Sequence, residues 1–300
     1  MAEQAFMALT RGHSAQVEAS LRRCLDGLAE VVPKPVHAAA AAAVLSGGKR
    51  LRPLLCVTAC EELGGAPRHA LYDLAASIEV IHAYSLVHDD LPCMDDAELR
   101  RGRPTVHVSH GVAVATAAGA ALIPWAAAWA LDAAMRLART DGEARRIVAT
   151  LLEAAGAGGM IGGQALDLLA EGASLTEGEL AGVHGLKTGA LLAASLEMGA
   201  MAAGASAEEL AAVGGFGRHL GLAFQVMDDV LDATGSAEVL GKLPSDADFG
   251  KSTYVLLLGV NGARERAASL VDRGLAALDD AGLAAPMLRS LASFVIERSR

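Results

Sequence analysis

Aromatic residues are scarce in this chain: five Phe, three Tyr and two Trp among 300 residues. Apolar residues still make up 53% of the sequence, mostly Ala and Leu, which favour helix over strand. That balance argues against a sheet-rich core and predicts an all-α protein. A cationic excess is also missing. The net charge of −10 argues against nucleic acid as a partner, because phosphate polymers require a basic face. The four cysteines, Cys24, Cys56, Cys60 and Cys93, form no zinc spacing with histidine and are read as free thiols of a reducing, cytoplasmic protein. The N-terminus, Met-Ala-Glu-Gln-Ala-Phe, lacks the basic start and apolar stretch of a secretory leader. No internal repeat or linker divides the chain, so residues 1–300 are expected to form one domain.

One uncharged stretch, Gly111 to Leu131, is about long enough to span a bilayer. It is Ala-rich, is expected to be broken by Pro124 and has no flanking aromatic belts, so it is expected to be a buried core helix without stable membrane insertion. The glycine-dense Gly156–Gly163 is not a nucleotide loop, because no strand precedes it and no Gly-Lys-Ser/Thr follows at the right spacing. It suggests close backbone approach or a bent helix.

Against this apolar background, charge is concentrated in a few places. Asp89, Asp90, Asp95 and Asp96 close a helix whose apolar residues include Leu74, Ile78, Ile81 and Leu86. So much like charge beside apolar residues is costly unless cations neutralise it. Pro92 disfavours helix at Leu91, and that break can fold Asp95 and Asp96 back over the helix end. A second helix carries Gln225, Asp228, Asp229 and Asp232 at i, i+3, i+4 and i+7, a polar stripe on one face. Oxygen ligands without His or Cys select Mg²⁺, Ca²⁺ or Mn²⁺ over zinc. Basic residues lie near both clusters in sequence: Arg100, Arg101 and Arg103 after the first, Lys242 and Lys251 after the second. Lys49, Arg50 and Arg52 form another cationic group between two apolar helices, which suits an anion. Two acidic helices facing each other across a cavity, with divalent cations between them and a diphosphate, is the arrangement these patterns predict. Thr140/Glu143, Thr176/Glu179 and Ser206/Glu209 mark the starts of three further helices.

In order along the chain stand GGKRLRP, HAYSLVHDDLPCMDDAELRRGRPT, GGQALDL, HGLKTGAL, GLAFQVMDDVLD and GKST. On these motifs the sequence resembles the trans-isoprenyl diphosphate synthases, the polyprenyl synthetase family, over nearly its whole length. The resemblance implies a single domain of antiparallel helices around a deep central cavity, assembled as a homodimer. It implies up to three Mg²⁺, with Mn²⁺ as a substitute, held by Asp89, Asp95 and Asp228 with support from Asp90, Asp229 and Asp232. Arg100, Lys187, Thr188, Gln225, Lys242 and Lys251 would hold an allylic diphosphate. Lys49, Arg52, His82 and Arg101 would hold isopentenyl diphosphate. Asp89, Asp95, Asp228, Lys187 and Arg100 would carry catalysis. Tyr84 and Ser85, one turn before Asp89, would form the floor under a growing hydrocarbon, and the bulk of Tyr84 favours a fifteen-carbon product over a twenty-carbon one.

Two positions depart from the family pattern. Ala97-Glu98 follows the second aspartate pair where further acids are common, and Ala120 stands where an aspartate is usual, removing a carboxylate that would orient metal ligands. A class I terpene cyclase would share the metal chemistry but not Lys49, Arg52 and His82. A non-catalytic regulatory subunit would be expected to have lost aspartates or lysines. A ferritin-like dimetal protein needs Glu-x-x-His pairs that are not suitably placed here.

Overall fold

The computed structural model describes residues 2–235 and 252–297, with side chains from residue 12 onward. Lys242 and Lys251 lie outside the described residues. The order of elements is α1 (Ala2–Ala29), α2 (Lys34–Val44), α3 (Leu51–Glu62), α4 (His69–Asp89), a two-stranded hairpin of β1 (Leu99–Arg100) and β2 (Arg103–Pro104), and α5 (Val106–His110). There follow α6 (Val112–Leu137), α7 (Asp141–Ala155), α8 (Met160–Leu169), α9 (Glu177–His184), a π-helical turn (Gly185–Gly189) and α10 (Ala190–Ala203). The described chain ends with α11 (Ala207–Thr234), α12 (Tyr254–Asp280) and α13 (Pro286–Glu297). The all-α expectation holds, with one short hairpin added.

The caps read from sequence are present. Thr176 and Ser206 each accept from the amide three residues on, and Glu179 and Glu209 reach back, completing both capping boxes. Thr140 caps α7 in one direction only, because Glu143 reaches one residue further, to the Arg139 amide and guanidinium.

The two larger hydrophobic cores share two helices. One joins α1, α2, α4, α6 and α7; the other joins α11, α12 and α13. The helix α3 gives Cys56, Val57 and Cys60 to the first and Leu54, Leu55 and Ala59 to the second; α10 likewise gives Leu191, Ala194 and Met198 to one and Leu192, Leu196 and Ala200 to the other. The two helices approach closely because residue 199 is glycine: a Cβ there would stand 2.0 Å from the Cys56 carbonyl oxygen. Helix α4 is buried on nearly every side, so its sequence is apolar all round rather than striped.

Helix α6 corrects two expectations. It runs unbroken through Pro124, which is exposed, as is Ala120, whose carbonyl loses its amide donor to the proline and is left on the solvent side. It is also buried on one stripe only, Ala115, Ala118, Leu122, Ala126, Ala130, Ala133 and Ala134, while Val112, Leu131 and Met135 are exposed. Both α4 and α6 are long and apolar enough to cross a membrane by length and composition, α4 being mostly buried and α6 mostly not.

Candidate active site

The end of α4 is where the chain concentrates its acids. After Asp90 the backbone folds back: the Asp95 amide donates to the Asp89 carbonyl at 2.9 Å, and the Ala97 amide donates to the Asp90 carbonyl at 3.2 Å. The turn predicted at Pro92 therefore brings the second acid pair over the helix end. Burial, and the neighbouring Asp95 and Asp90, push the Asp89 carboxyl up to about 6, although Lys187 and Arg100 act in the opposite sense. Asp90 is buried and receives the Arg100 guanidinium on both oxygens, with contacts of 2.6–2.9 Å. Burial raises the Asp90 carboxyl above its ordinary value, and Arg100 opposes this.

The hairpin supplies the arginines. Its two-residue loop, Arg101-Gly102, has positive φ at both residues (54° and 72°), the backbone that suits a tight hairpin. The exposed Arg101 donates to the Gly47 carbonyl and fills the space beside Gly48, where a Cβ would stand 2.6 Å from its guanidinium. Of the four described non-glycine residues with positive φ, three (Arg50, Asp96 and Arg101) flank this site, a concentration of backbone strain common where function fixes geometry.

The cationic group at 49–52 divides by role. Arg50 is buried and bound to Glu18 at 2.7 Å, Glu79 at 2.8 Å and the Val44 carbonyl at 2.9 Å, so it ties helices together. Lys49 is exposed, with its ammonium 5.6 Å from the Phe294 ring centroid. The Arg52 Nε is buried without a hydrogen-bond partner among the described residues. Burial lowers its pKa; Glu79 of α4 and Asp228 of α11 oppose that, and Arg101 adds to it. His82 is held well below its ordinary pKa by burial and by Arg52, Arg101, Arg100 and Arg50, so it is neutral at pH 7. Arg52 thus feels α4 and α11 together, while Asp89 feels Arg100 and Lys187. Among the described residues, Arg52, Arg100, Arg101 and Lys187 thus stand in the field of acids on α4, and Arg52 in that of α11 as well.

On α11, Gln225 donates to Asp228 at 3.0 Å. Asp229 is buried and accepts the Tyr254 amide at 2.7 Å, fastening α11 to the start of α12. Asp232 is half-buried one turn further along. Lys187 lies in the π turn rather than opening a regular helix, and its ammonium meets Asp167 of α8 at 2.7 Å. Gly163 lets the two backbones approach, since a Cβ there would stand 2.2 Å from the Lys187 backbone nitrogen. Thr188, beside it, is buried. Turns of this kind often mark functional sites.

Tyr84 is buried, and its hydroxyl donates to the Ala155 carbonyl at 3.4 Å. Ser85, also buried, donates to the His82 carbonyl at 2.9 Å. Ala120 is exposed, while its neighbour Gly119 abuts His88. Three residues with no role assigned from sequence adjoin residues named above: Glu79, bound to Arg50 and felt by Arg52; Asp167, on Lys187; and Gln164, next to the Gly163 that abuts Lys187, whose buried amide has no partner for either polar atom among the described residues. An acid between Ile78 and Val80 in an apolar helix was the available signal for Glu79.

Among the described residues no three His, Cys, Asp or Glu side chains form a preassembled metal cage. Mg²⁺ needs none where substrate phosphates and water supply the remaining ligands, and the donor set here is carboxylate oxygen throughout. The raised Asp89 carboxyl marks a cluster short of positive charge, which a divalent cation fits. An open groove of about 390 Å³ lined by Arg146, Glu153, Glu197 and Leu210 contains none of these aspartates. Charge rather than concavity locates the site.

The family described as Polyprenyl synthetase matches residues 33–280. The chain is 44% identical to farnesyl diphosphate synthase of Escherichia coli (strain K12), over 85% of this chain and 87% of that protein. An FPP/GFPP synthase from Zymomonas mobilis, solved in its apo form, superposes with a TM-score of 0.82 at 34% identity, covering 97% of this chain and 99% of that one. A geranyltransferase from Helicobacter pylori, solved with magnesium and isoprenyl diphosphate, superposes with a TM-score of 0.76 at 33% identity, covering 93% and 95% of the two chains.

Proposed function

The chain belongs to the polyprenyl synthetase family and is a trans-prenyltransferase, and from that premise we propose how its residues divide the work. It condenses isopentenyl diphosphate head-to-tail with dimethylallyl and then geranyl diphosphate, with farnesyl diphosphate the best-supported product. Asp89, Asp95 and Asp228, assisted by Asp90, Asp229 and Asp232, hold up to three Mg²⁺, for which Mn²⁺ can substitute; the Helicobacter relative's magnesium supports the metal. When bound, Mg²⁺ neutralises the charge that builds on a departing diphosphate. Arg100, Lys187, Thr188, Gln225, Lys242 and Lys251 grip that leaving group, and the cations stabilise it more as the allylic C–O bond breaks. Lys49, Arg52, His82 and Arg101 hold isopentenyl diphosphate so that its double bond faces the developing allylic cation. Neutral His82 donates a hydrogen bond there without adding a fifth charge to the arginines. The proton lost after C–C bond formation passes to the released diphosphate, so no protein nucleophile is required.

The observation that carries this reading is the position of Arg52 within electrostatic reach of both acidic helices, with its Nε unpaired among the described residues. Tyr84 and Ser85 close the hydrocarbon end. The test is incubation with Mg²⁺, isopentenyl diphosphate and dimethylallyl diphosphate, followed by chromatography of the product. A fifteen-carbon chain supports the floor; a twenty-carbon chain moves the floor elsewhere; no condensation contradicts the site.

The chain acts as one domain, a reading supported by α3 and α10 serving both cores. It pairs with a second copy through the exposed apolar side of α6, where Leu131 and Met135 lie in the open. Sedimentation should give twice the chain mass, and Leu131→Asp should shift it toward one. Unpaired Cys24, Cys56, Cys60 and Cys93 support a cytoplasmic setting.

A further inference from the structure

Tyr84 and His88 are one turn apart on α4, and their rings meet edge-to-face, with centroids 5.8 Å apart and planes at 77°. The imidazole is in turn seated on α6. Its Nε2 lies 3.3 Å from the Thr116 carbonyl oxygen, and it occupies the space that residue 119 leaves by being glycine. A Cβ at that position would stand 2.2 Å from the same Nε2, too close for both to remain in place. The far side of the Tyr84 ring is fixed by its hydroxyl on the last residue of α7, Ala155. A ring held at its Cβ and at its hydroxyl can still turn about the axis that joins them; an imidazole packed against it at 77° restricts that rotation.

We propose that His88 is a positioning residue for product length: seated in the niche at Gly119, it holds the Tyr84 ring across the end of the hydrocarbon channel. This rests on the reading of Tyr84 as the channel floor and adds the means by which that floor is kept rigid. His88 touches no substrate in this account and acts through the tyrosine. The floor thereby depends on α6, an element that contributes none of the diphosphate-binding residues.

The test uses the full chain with Mg²⁺, isopentenyl diphosphate and dimethylallyl diphosphate, comparing products at equal substrate consumption. Tyr84→Ala should raise the ratio of twenty- to fifteen-carbon product. His88→Ala should raise it by about three- to tenfold, the scale of one lost aromatic pair, without a matching fall in kcat for the first condensation. Gly119→Ala should shift the ratio in the wild-type background and leave it unmoved when added to His88→Ala, which has no imidazole to displace. The ratio does not depend on how much enzyme survives folding, so a merely destabilised variant leaves it unchanged. If Tyr84→Ala changes the product and His88→Ala does not, the positioning role is wrong. A Gly119→Ala effect that persists without His88 overturns it as well. If Tyr84→Ala itself leaves the product at fifteen carbons, the floor reading fails and this inference fails with it.

Discussion

The two acidic clusters use the same residue type in different physical settings. The first stands on a chain reversal, where Asp89 and Asp95 are brought together by a backbone hydrogen bond and Asp89 is pushed up to about 6 by burial and its neighbours. The second is set out along one face of a continuous helix, with Asp228 bonded to Gln225 and Asp229 fastened to the Tyr254 amide. Burial loads Asp89 of the first cluster, where Arg100 grips Asp90, while Asp228 and Asp229 of the second are braced by Gln225 and the Tyr254 amide.

The largest expected effect tests whether both halves serve one reaction. Asp89→Ala and Asp228→Ala should each lower kcat by about a hundredfold or more, the scale of losing a group that stabilises transition-state charge. Steady-state rates at saturating Mg²⁺ measure this, and collapse of only one variant would make the clusters unequal partners. Next is Arg52, which feels Glu79 of α4 and Asp228 of α11. Arg52→Ala should raise the KM for isopentenyl diphosphate about ten- to a hundredfold with little change in kcat, as expected for a lost charged hydrogen bond. An unchanged KM would remove Arg52 from the substrate.

A smaller effect sharpens the contrast in charge. The folded Asp89 carboxyl titrates near 6 and an unfolded one near 4, so its contribution to stability is complete below about pH 4 and lost as pH rises through about 6. Asp89→Asn should therefore stabilise the metal-free protein by about 1–3 kcal/mol at pH 8 and by almost nothing at pH 4, while removing Mg²⁺-dependent turnover. Thermal denaturation in chelator at the two pH values reads this out. The smallest concerns the braced half. Asp229→Ala should cost about 1–2 kcal/mol by leaving the Tyr254 amide unpaired, and Asp229→Asn, which keeps an acceptor oxygen, should cost less. Equal losses would mean that the amide bond does not hold α11 to α12.

Much of this was legible in the sequence where a rule of period or sterics applied. The stripe from Gln225 to Asp232 followed from helical spacing, and the reversal after Asp90 followed from Pro92. Residues whose type does not reveal their partner were not legible. Arg50 reads like Arg52 in a string of cations, yet it is bound to Glu18 and Glu79, and only the left-handed backbone at residue 50 turns the two apart. Asp229 reads like Asp228, but its oxygen meets an amide 25 positions away. The π turn at Lys187 depends on the approach of Gly163 from another helix, a contact that local propensity cannot encode. Pro124 was expected to interrupt α6 and does not, because the carbonyl it deprives lies on an exposed side.

The central claim is that carboxylates from α4 and α11 grip one leaving group through shared divalent ions. Anomalous diffraction from crystals grown with Mn²⁺ and a non-reactive allylic diphosphate analogue tests it most directly. The account predicts manganese on both sides of a single diphosphate, ligated by Asp89 on one side and Asp228 on the other. Manganese on one cluster alone, or diphosphate bound away from both, would contradict it.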